Sequence, residues 1–236
     1  MTSSKDKQSE LAICLVSGGM DSLVSAALAK QQNQHLAFLH LNYQQKTERK
    51  ELECFHKIAD HYQVPSELRK VIDVSFLGQI GGSSLTDDGI DVKKYKGDTE
   101  EIPDSYVPFR NTHILSMAVS WAEVLGAKHI YIGAVAEDSS GYPDCRPEYY
   151  EAFNRLVEVG TKARGIKIKT PLLYMSKEQI IKKAVELNAP LEHTWSCYAM
   201  EDKACGVCDS CALRLRGFEK AGMKDPIDYH QRPSFL

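Results

Sequence analysis

Close to its amino terminus the chain passes from an apolar stretch, residues 11–16, directly into Ser17-Gly18-Gly19-Met20-Asp21-Ser22 and then into a helix-forming stretch, residues 22–30. A short apolar run bounded by glycines reads as a strand buried on both faces. Strand, glycine turn and helix in succession begin a parallel α/β unit, because a crossover helix is what lets the next strand return in the same direction. The alternation continues: residues 35–42 read as a second buried strand, 47–63 as a helix with Thr47 as its cap, and 68–74 as a third strand. Beyond these, residues 111–126 form a helix ended by Gly126, 128–134 a strand, and 148–163 and 176–188 two helices flanking a short strand at 166–169. The expected fold class is α/β, a doubly wound, mainly parallel sheet covered by helices on both faces.

With 236 residues and roughly 150 per domain, one large domain with an appendage is expected. The division runs as a disordered polar tail at 1–9, an α/β domain at 10–190, and a C-terminal segment at 191–236. From 81 to 108 apolar residues thin out while Gly, Asp and Ser collect, which marks a long loop or lid of functional length. A net charge of -3, with basic residues in scattered pairs such as Lys93-Lys94 and Lys182-Lys183, supplies no broad positive field and argues against a nucleic-acid partner. The apolar run before Ser17 is too short for a membrane span or a secretory core, so no membrane partner and a cytoplasmic location are expected.

The glycine turn stands where an open parallel sheet places its ligand, between the carboxyl end of a strand and the amino end of a helix. Glycines admit an anion close to the backbone, while helix-end N–H groups and the hydroxyls of Ser17 and Ser22 can donate to it. The expected ligand is phosphate or pyrophosphate. No Lys follows the second glycine, so this is neither a Walker A loop nor a dinucleotide fingerprint. The structural alternative is a tight turn in which Asp21 and Ser22 merely cap a helix. The full string resembles the pyrophosphate loop (PP-loop) of the adenine nucleotide alpha hydrolase-like superfamily, whose members cleave ATP between its α and β phosphates and adenylate an oxygen atom. That resemblance implies that Leu15, Val16, Ser17, Gly18, Gly19, Met20, Asp21 and Ser22 bind ATP, with Mg²⁺ offsetting its charge and Ser17, Asp21 and Ser22 among the catalytic residues.

Four of the seven cysteines, Cys197, Cys205, Cys208 and Cys211, crowd into one short segment. Soft sulfur ligands in fours suit a closed, structural Zn²⁺ site, with Gly206 providing the turn that lets Cys205 and Cys208 face one ion. An iron–sulfur cluster and incidental buried cysteines are the alternatives. The metal would staple a loop-rich segment that buries little apolar surface of its own. Cys14, Cys54 and Cys145 stand apart.

Three further strings join these: Val107-Pro108-Phe109-Arg110-Asn111, Ser140-Gly-Tyr-Pro-Asp-Cys-Arg146, and Ala204-Cys-Gly-Val-Cys-Asp-Ser-Cys-Ala-Leu-Arg214. With the PP-loop, and in this order, they resemble the motifs of the 7-cyano-7-deazaguanine synthase (QueC) family over residues 11–222. The resemblance implies an ATP-dependent C–N ligase that converts 7-carboxy-7-deazaguanine and ammonia to the nitrile precursor of queuosine, and a homodimer. Within that scheme Arg110 would pair with a phosphate or the substrate carboxylate, and Asn111, Tyr142, Asp144 and Arg146 would complete the substrate pocket, Asp144 accepting from the guanine-like edge. Lys177, beside a helix start, would act on phosphate, the alternative being ordinary surface solvation. Arg146 has an alternative too, an ion pair with Asp138 or Glu148. Trp195 and Tyr198 read as packing residues and His113 as structural.

Two positions depart from the family pattern. Tyr43-Gln44-Gln45-Lys46 stands where members commonly read Tyr-Gly-Gln-Arg, and Phe109 where they read Gly. If the backbone is left-handed there, either the loops take another path or strain is tolerated. A reshaped pocket would open a second possibility, a QueC-like ligase that joins the acid to a different amine, even one on a protein. A tRNA-modifying PP-loop enzyme and a non-catalytic zinc- and nucleotide-binding regulator are the remaining readings.

Overall fold

The computed structural model describes residues 11–97, 101–136 and 142–235. The tail expected at 1–9 lies outside the described residues, as do Asp138, Ser140 and Gly141. Five strands, β1 (Leu11–Leu15), β2 (His35–Asn42), β3 (Arg69–Asp73), β4 (His129–Tyr131) and β5 (Lys167–Lys169), form one parallel sheet in the order β3-β2-β1-β4-β5. The chain winds outward from β1 to β3 and then returns to the other side of β1. This makes the β1/β4 boundary the switch point at which such sheets bind ligands.

Both faces of the sheet are covered at its centre, which is why β1 is continuously apolar and the middle of β2 nearly so, while the edge strands β3 and β5 carry charged residues. Ala12, Cys14 and Val16 point into a core shared with α1 (Met20–Gln32), α2 (Glu48–His61) and α6 (Lys177–Glu186). Ile13 and Leu15 point into a second core, shared with α3 (Phe76–Ile80), α4 (Arg110–Leu125) and α5 (Pro147–Gly160). Strand β2 alternates likewise, Leu36 and Phe38 to one core, Ala37, Leu39 and Leu41 to the other. Helix α6 begins with a capping box built by Ser176 and Gln179, and α4 ends on Gly126 in the left-handed conformation.

The doubly wound sheet agrees with the sequence, whereas several local expectations need correction. Thr47 occupies the cap position of α2 but makes no side-chain cap; its hydroxyl donates to Glu51 Oε1 at 2.7 Å instead. Strand β4 stops at Tyr131, short of the expected end. A Cβ on Gly133 would stand 2.6 Å from the Asp21 carbonyl carbon, so the chain leaving β4 must abut the start of α1 there. The short helix α3 was not expected, and the C-terminal segment is not all loop: Asp209–Lys220 forms α7. It buries Cys211, Ala212, Leu215 and Phe218 at helical spacing, but two of its signal positions are occupied by a cysteine and an alanine, so the apolar periodicity was hidden.

Among the described residues, 81–97 and 101–108 carry no helix or regular strand. This stretch docks on the cysteine segment through Tyr95 N–H donating to Val207 O at 2.8 Å and a bridge between Lys94 and Cys208. No described helix is long and apolar enough to cross a membrane.

Candidate active site and cysteine centre

The glycine turn between β1 and α1 is a closed backbone device. Gly18 is left-handed (φ 89°), and a Cβ there would collide with the Glu51 carbonyl oxygen, so α2 packs directly against the turn. Ser17 N–H donates to Ser22 Oγ at 3.2 Å, Ser22 Oγ donates to Gly19 O at 2.8 Å, and Gly19 N–H donates to Ser17 Oγ at 3.2 Å. These bonds shape a concave amide lip at the start of a helix, the backbone geometry that suits an anion.

Asp21 sits in the first turn of α1 with one carboxylate oxygen on Lys177 Nζ at 2.7 Å. Its other oxygen, Oδ1, is buried with no hydrogen-bond partner among the described residues. Lys177 is only 14% exposed on its side chain, which removes the surface-solvation alternative. An unpaired, desolvated carboxylate oxygen beside an anion-shaped loop fits a hard divalent cation carried by a polyphosphate.

A cavity of about 280 Å³ opens from this loop across the carboxyl ends of the strands. Leu15, Val16, Ser17, Gly19, Met20, Asp21 and Ser22 border it, and so do Arg110, Asn111 and Tyr142. Arg110, the first residue of α4, donates from Nη1 to the Tyr43 hydroxyl at 2.9 Å and stacks over that ring. Burial opposes its charge, but the phenol oxygens of Tyr43, Tyr142 and Tyr198 and the Asp144 carboxylate outweigh that and raise its pKa further. The guanidinium therefore stays charged.

Gly18, Asp144, Arg146 and Lys177 are not in the lining. Asp144 is buried, and its carboxylate accepts from the Asn111 backbone N–H at 3.1 Å while its carbonyl accepts from the Asn111 side-chain amide at 2.9 Å. It thus caps α4 from the loop after β4 and fixes Arg110 and Asn111 in place; burial raises its pKa. Arg146 is exposed at the cap position of α5.

Sequence reasoning overlooked several cavity residues: Tyr43, Glu51, Ser196 and, as lining rather than packing, Trp195 and Tyr198. Tyr43 follows β2 at the strand's carboxyl end, a position that could have marked it. For Trp195 no local pattern exists; its backbone N–H donates to Gly18 O at 2.9 Å, so it reaches the loop only through the fold. Gln44 (φ 62°) and Phe109 (φ 58°) are both left-handed, so the loops keep the path glycine would take and tolerate the strain.

Cys197, Cys205, Cys208 and Cys211 are all buried, and their sulfur atoms lie within 4.8 Å of one another. Backbone N–H groups of Ala199 and Cys205 donate to Cys197 Sγ, and those of Val207 and Cys208 donate to Cys205 Sγ. Such N–H···S bonds favour thiolate, so the donor set fits a soft metal. Gly206 is left-handed (φ 81°), and Gln231 crosses where its Cβ would be. Arg214 ties the C-terminal segment together: its buried guanidinium donates to both oxygens of Asp225 at 2.6 and 2.9 Å and to Thr194 Oγ1 at 2.8 Å.

A parallel sheet with its ligand cavity at the β1/β4 switch point, opening on a Ser-Gly-Gly-x-Asp-Ser turn, defines the PP-loop class of ATP-binding proteins. A crystal structure of a 4-thiouridine synthetase–RNA complex with bound ATP shares this fold, with a TM-score of 0.50 and 20% identity over 76% of this chain and 41% of that one. The profile of a family described as "Queuosine biosynthesis protein QueC" matches residues 11–222. Proteins named 7-cyano-7-deazaguanine synthase from Chlorobium phaeobacteroides and Chlorobaculum parvum are each 58% identical over 226 residues, 95% of this chain and 99% of theirs. The chain belongs to the QueC family.

Proposed function

We propose that this protein is an ATP-dependent ligase that converts 7-carboxy-7-deazaguanine and ammonia to 7-cyano-7-deazaguanine. The observation that carries the proposal is the single cavity in which the orphaned Asp21 Oδ1, the glycine turn and the charged Arg110 meet. Near-full-length similarity to proteins of that name supports it.

A carboxylate resists attack by an amine because oxide is a poor leaving group, and transfer of AMP to one oxygen removes that obstacle. The substrate carboxylate attacks the α-phosphorus of ATP and pyrophosphate departs into the lip formed by Ser17 to Ser22. Mg²⁺, bound with ATP, supplies charge neutralisation, and Asp21 would hold it while Lys177 steadies Asp21. Arg110 orients the carboxylate through its planar fork. Ammonia displaces AMP to give the amide, whose oxygen attacks a second ATP; loss of the second AMP leaves the nitrile. Positioning and charge stabilisation carry both halves, and no covalent enzyme intermediate is needed. Tyr142 and Tyr198 offer ring surface and hydroxyls to the heterocycle, and Asp144 acts by holding Asn111. Arg146 would reach the site from outside the lining.

The four cysteines are assigned to one structural Zn²⁺ per chain, a choice supported by the all-sulfur, closed donor set. A metal held by four thiolates suits a reducing, cytoplasmic setting. Two copies pairing as a dimer, as the family implies, would appear in sedimentation. Incubation with 7-carboxy-7-deazaguanine, ammonium, ATP and Mg²⁺ followed by mass spectrometry tests the function: the nitrile is expected, and a product that stops at the amide contradicts it.

A further inference from the structure

Glu51 is a cavity residue that the scheme above leaves without a task. It lies one turn into α2, with its backbone carbonyl pressed against Gly18. Each carboxylate oxygen is fixed by a neutral donor: Thr47 Oγ1 donates to Oε1 at 2.7 Å and Gln45 Nε2 donates to Oε2 at 3.2 Å. Gln45 is itself locked, since its Oε1 accepts from Tyr43 N–H at 2.9 Å. Among the described residues Glu51 forms no ion pair, although it borders a cavity whose nearest cation, Arg110, is already engaged by the Tyr43 hydroxyl. A desolvated carboxylate aligned by neutral donors, with no cation in direct contact among the described residues, is a site for a small cation.

The reaction needs such a site. Ammonia arrives in neutral water as ammonium, which has no lone pair for attack, and the nitrogen must shed every proton on its way to the nitrile. We propose that Glu51 binds the incoming ammonium and accepts its proton, delivering ammonia to the adenylated acid. The first proton moves from ammonium to the Glu51 carboxylate and on to solvent, which frees the carboxylate again. The nitrogen lone pair forms the C–N bond, the C–O bond to AMP breaks with its electrons leaving on AMP, and the nitrogen gives a second proton to Glu51, leaving the neutral amide. In the second half the two protons left on the adenylated amide nitrogen pass one after the other through the same carboxylate to solvent, the last as the C–O bond to AMP breaks and the triple bond forms. Burial pushes the Glu51 carboxyl up to about 7, against the lowering influence of Thr47, Gln45 and Arg110. A base poised near the working pH is the efficient one. The charged and titratable groups that face it are Arg110 from α4, Tyr43 after β2 and Glu48 on its own helix.

This inference rests on the ligase reading, and the test separates the two. Acid-dependent pyrophosphate release reports adenylation alone, and amide and nitrile formation report the use of the amine. In E51Q, adenylation should persist while turnover with ammonium falls roughly 10²–10⁴-fold. Hydroxylamine, already neutral at the assay pH, should restore acyl transfer, read as hydroxamate, and E51D should recover part of the ammonium reaction. If E51Q uses ammonium as well as the parent protein, Glu51 is not the base. If adenylation is lost, or hydroxylamine and ammonium turnover fall together, Glu51 is a structural strut and the inference fails. Absence of acid-dependent pyrophosphate release from the parent protein would instead overturn the ligase reading itself.

Discussion

Gln44 and Phe109 hold left-handed backbone at the mouth of the cavity without being glycine. Phe109 is 57% exposed, with its ring edge-to-face on His113 and its N–H on the Tyr106 hydroxyl, so little burial compensates the conformation. F109G should therefore stabilise the fold by roughly 0.5–1 kcal/mol, the left-handed penalty less the entropy glycine adds to the unfolded chain. Thermal melting checks this, and a lower Tm would contradict it. Gln44 differs, because its side chain lies where a Cβ on Gly78 would stand, 2.6 Å from Oε1, so the two residues fit as a pair. Glu51 makes a pH prediction. A carboxyl held up near 7 in the fold is costly to ionise there, so this group's contribution to stability is fully present in acid, below the ordinary carboxyl range, and is lost as pH rises through about 7. E51Q should raise stability above that range by on the order of 1–3 kcal/mol and leave it unchanged near pH 4. Equal shifts at both pH values would show that burial does not perturb this group. None of these residues was visible as special in the sequence except where a family glycine was missing, since burial and orphaned oxygens exist only after folding.

Helices and strands were far more legible than the cavity wall. Strand β1 declared itself because it is apolar at every position, and β2 because its run from Leu36 to Leu39 is, each serving both cores, whereas the capping box of Ser176 and Gln179 that starts α6 emerged only in the structure. Helix α7 escaped because its buried stripe uses Cys211 and Ala212, which read as ligands and spacers. The β4–α1 junction could not be foreseen from Gly133 alone; what requires glycine there is Asp21, more than a hundred positions earlier in the chain. G133A should push α1 away from the strand ends, cost roughly 1–3 kcal/mol, and weaken ATP binding in calorimetry. Unaltered ATP affinity would mean that the loop does not depend on this close approach. D225A leaves the buried Arg214 charge without its partner and should cost about 3–5 kcal/mol, measured by denaturant unfolding. A cost under about 1 kcal/mol would mean water reaches Arg214.

Across the molecule the cysteine centre and the nucleotide loop are mechanically one unit. Trp195 joins Gly18 by a backbone bond, and Glu201 accepts from the Lys50 backbone N–H at 3.2 Å near the start of α2, so segments on both sides of Cys197 hold the loop's surroundings. Metal removal by a chelator should therefore lower the affinity for ATP along with the melting temperature, whereas affinity unchanged in demetallated, folded protein would uncouple the two. The two ends of this coupling were each readable as motifs, but their contact was not, because motif spacing carries no information about which surfaces meet. The proposed adenylation of a carboxylate by ATP in this cavity is tested by oxygen-18 in the substrate carboxyl group. Two labelled AMP molecules per nitrile are predicted, one oxygen leaving on each. Unlabelled AMP, or label recovered in water or inorganic phosphate, would contradict it.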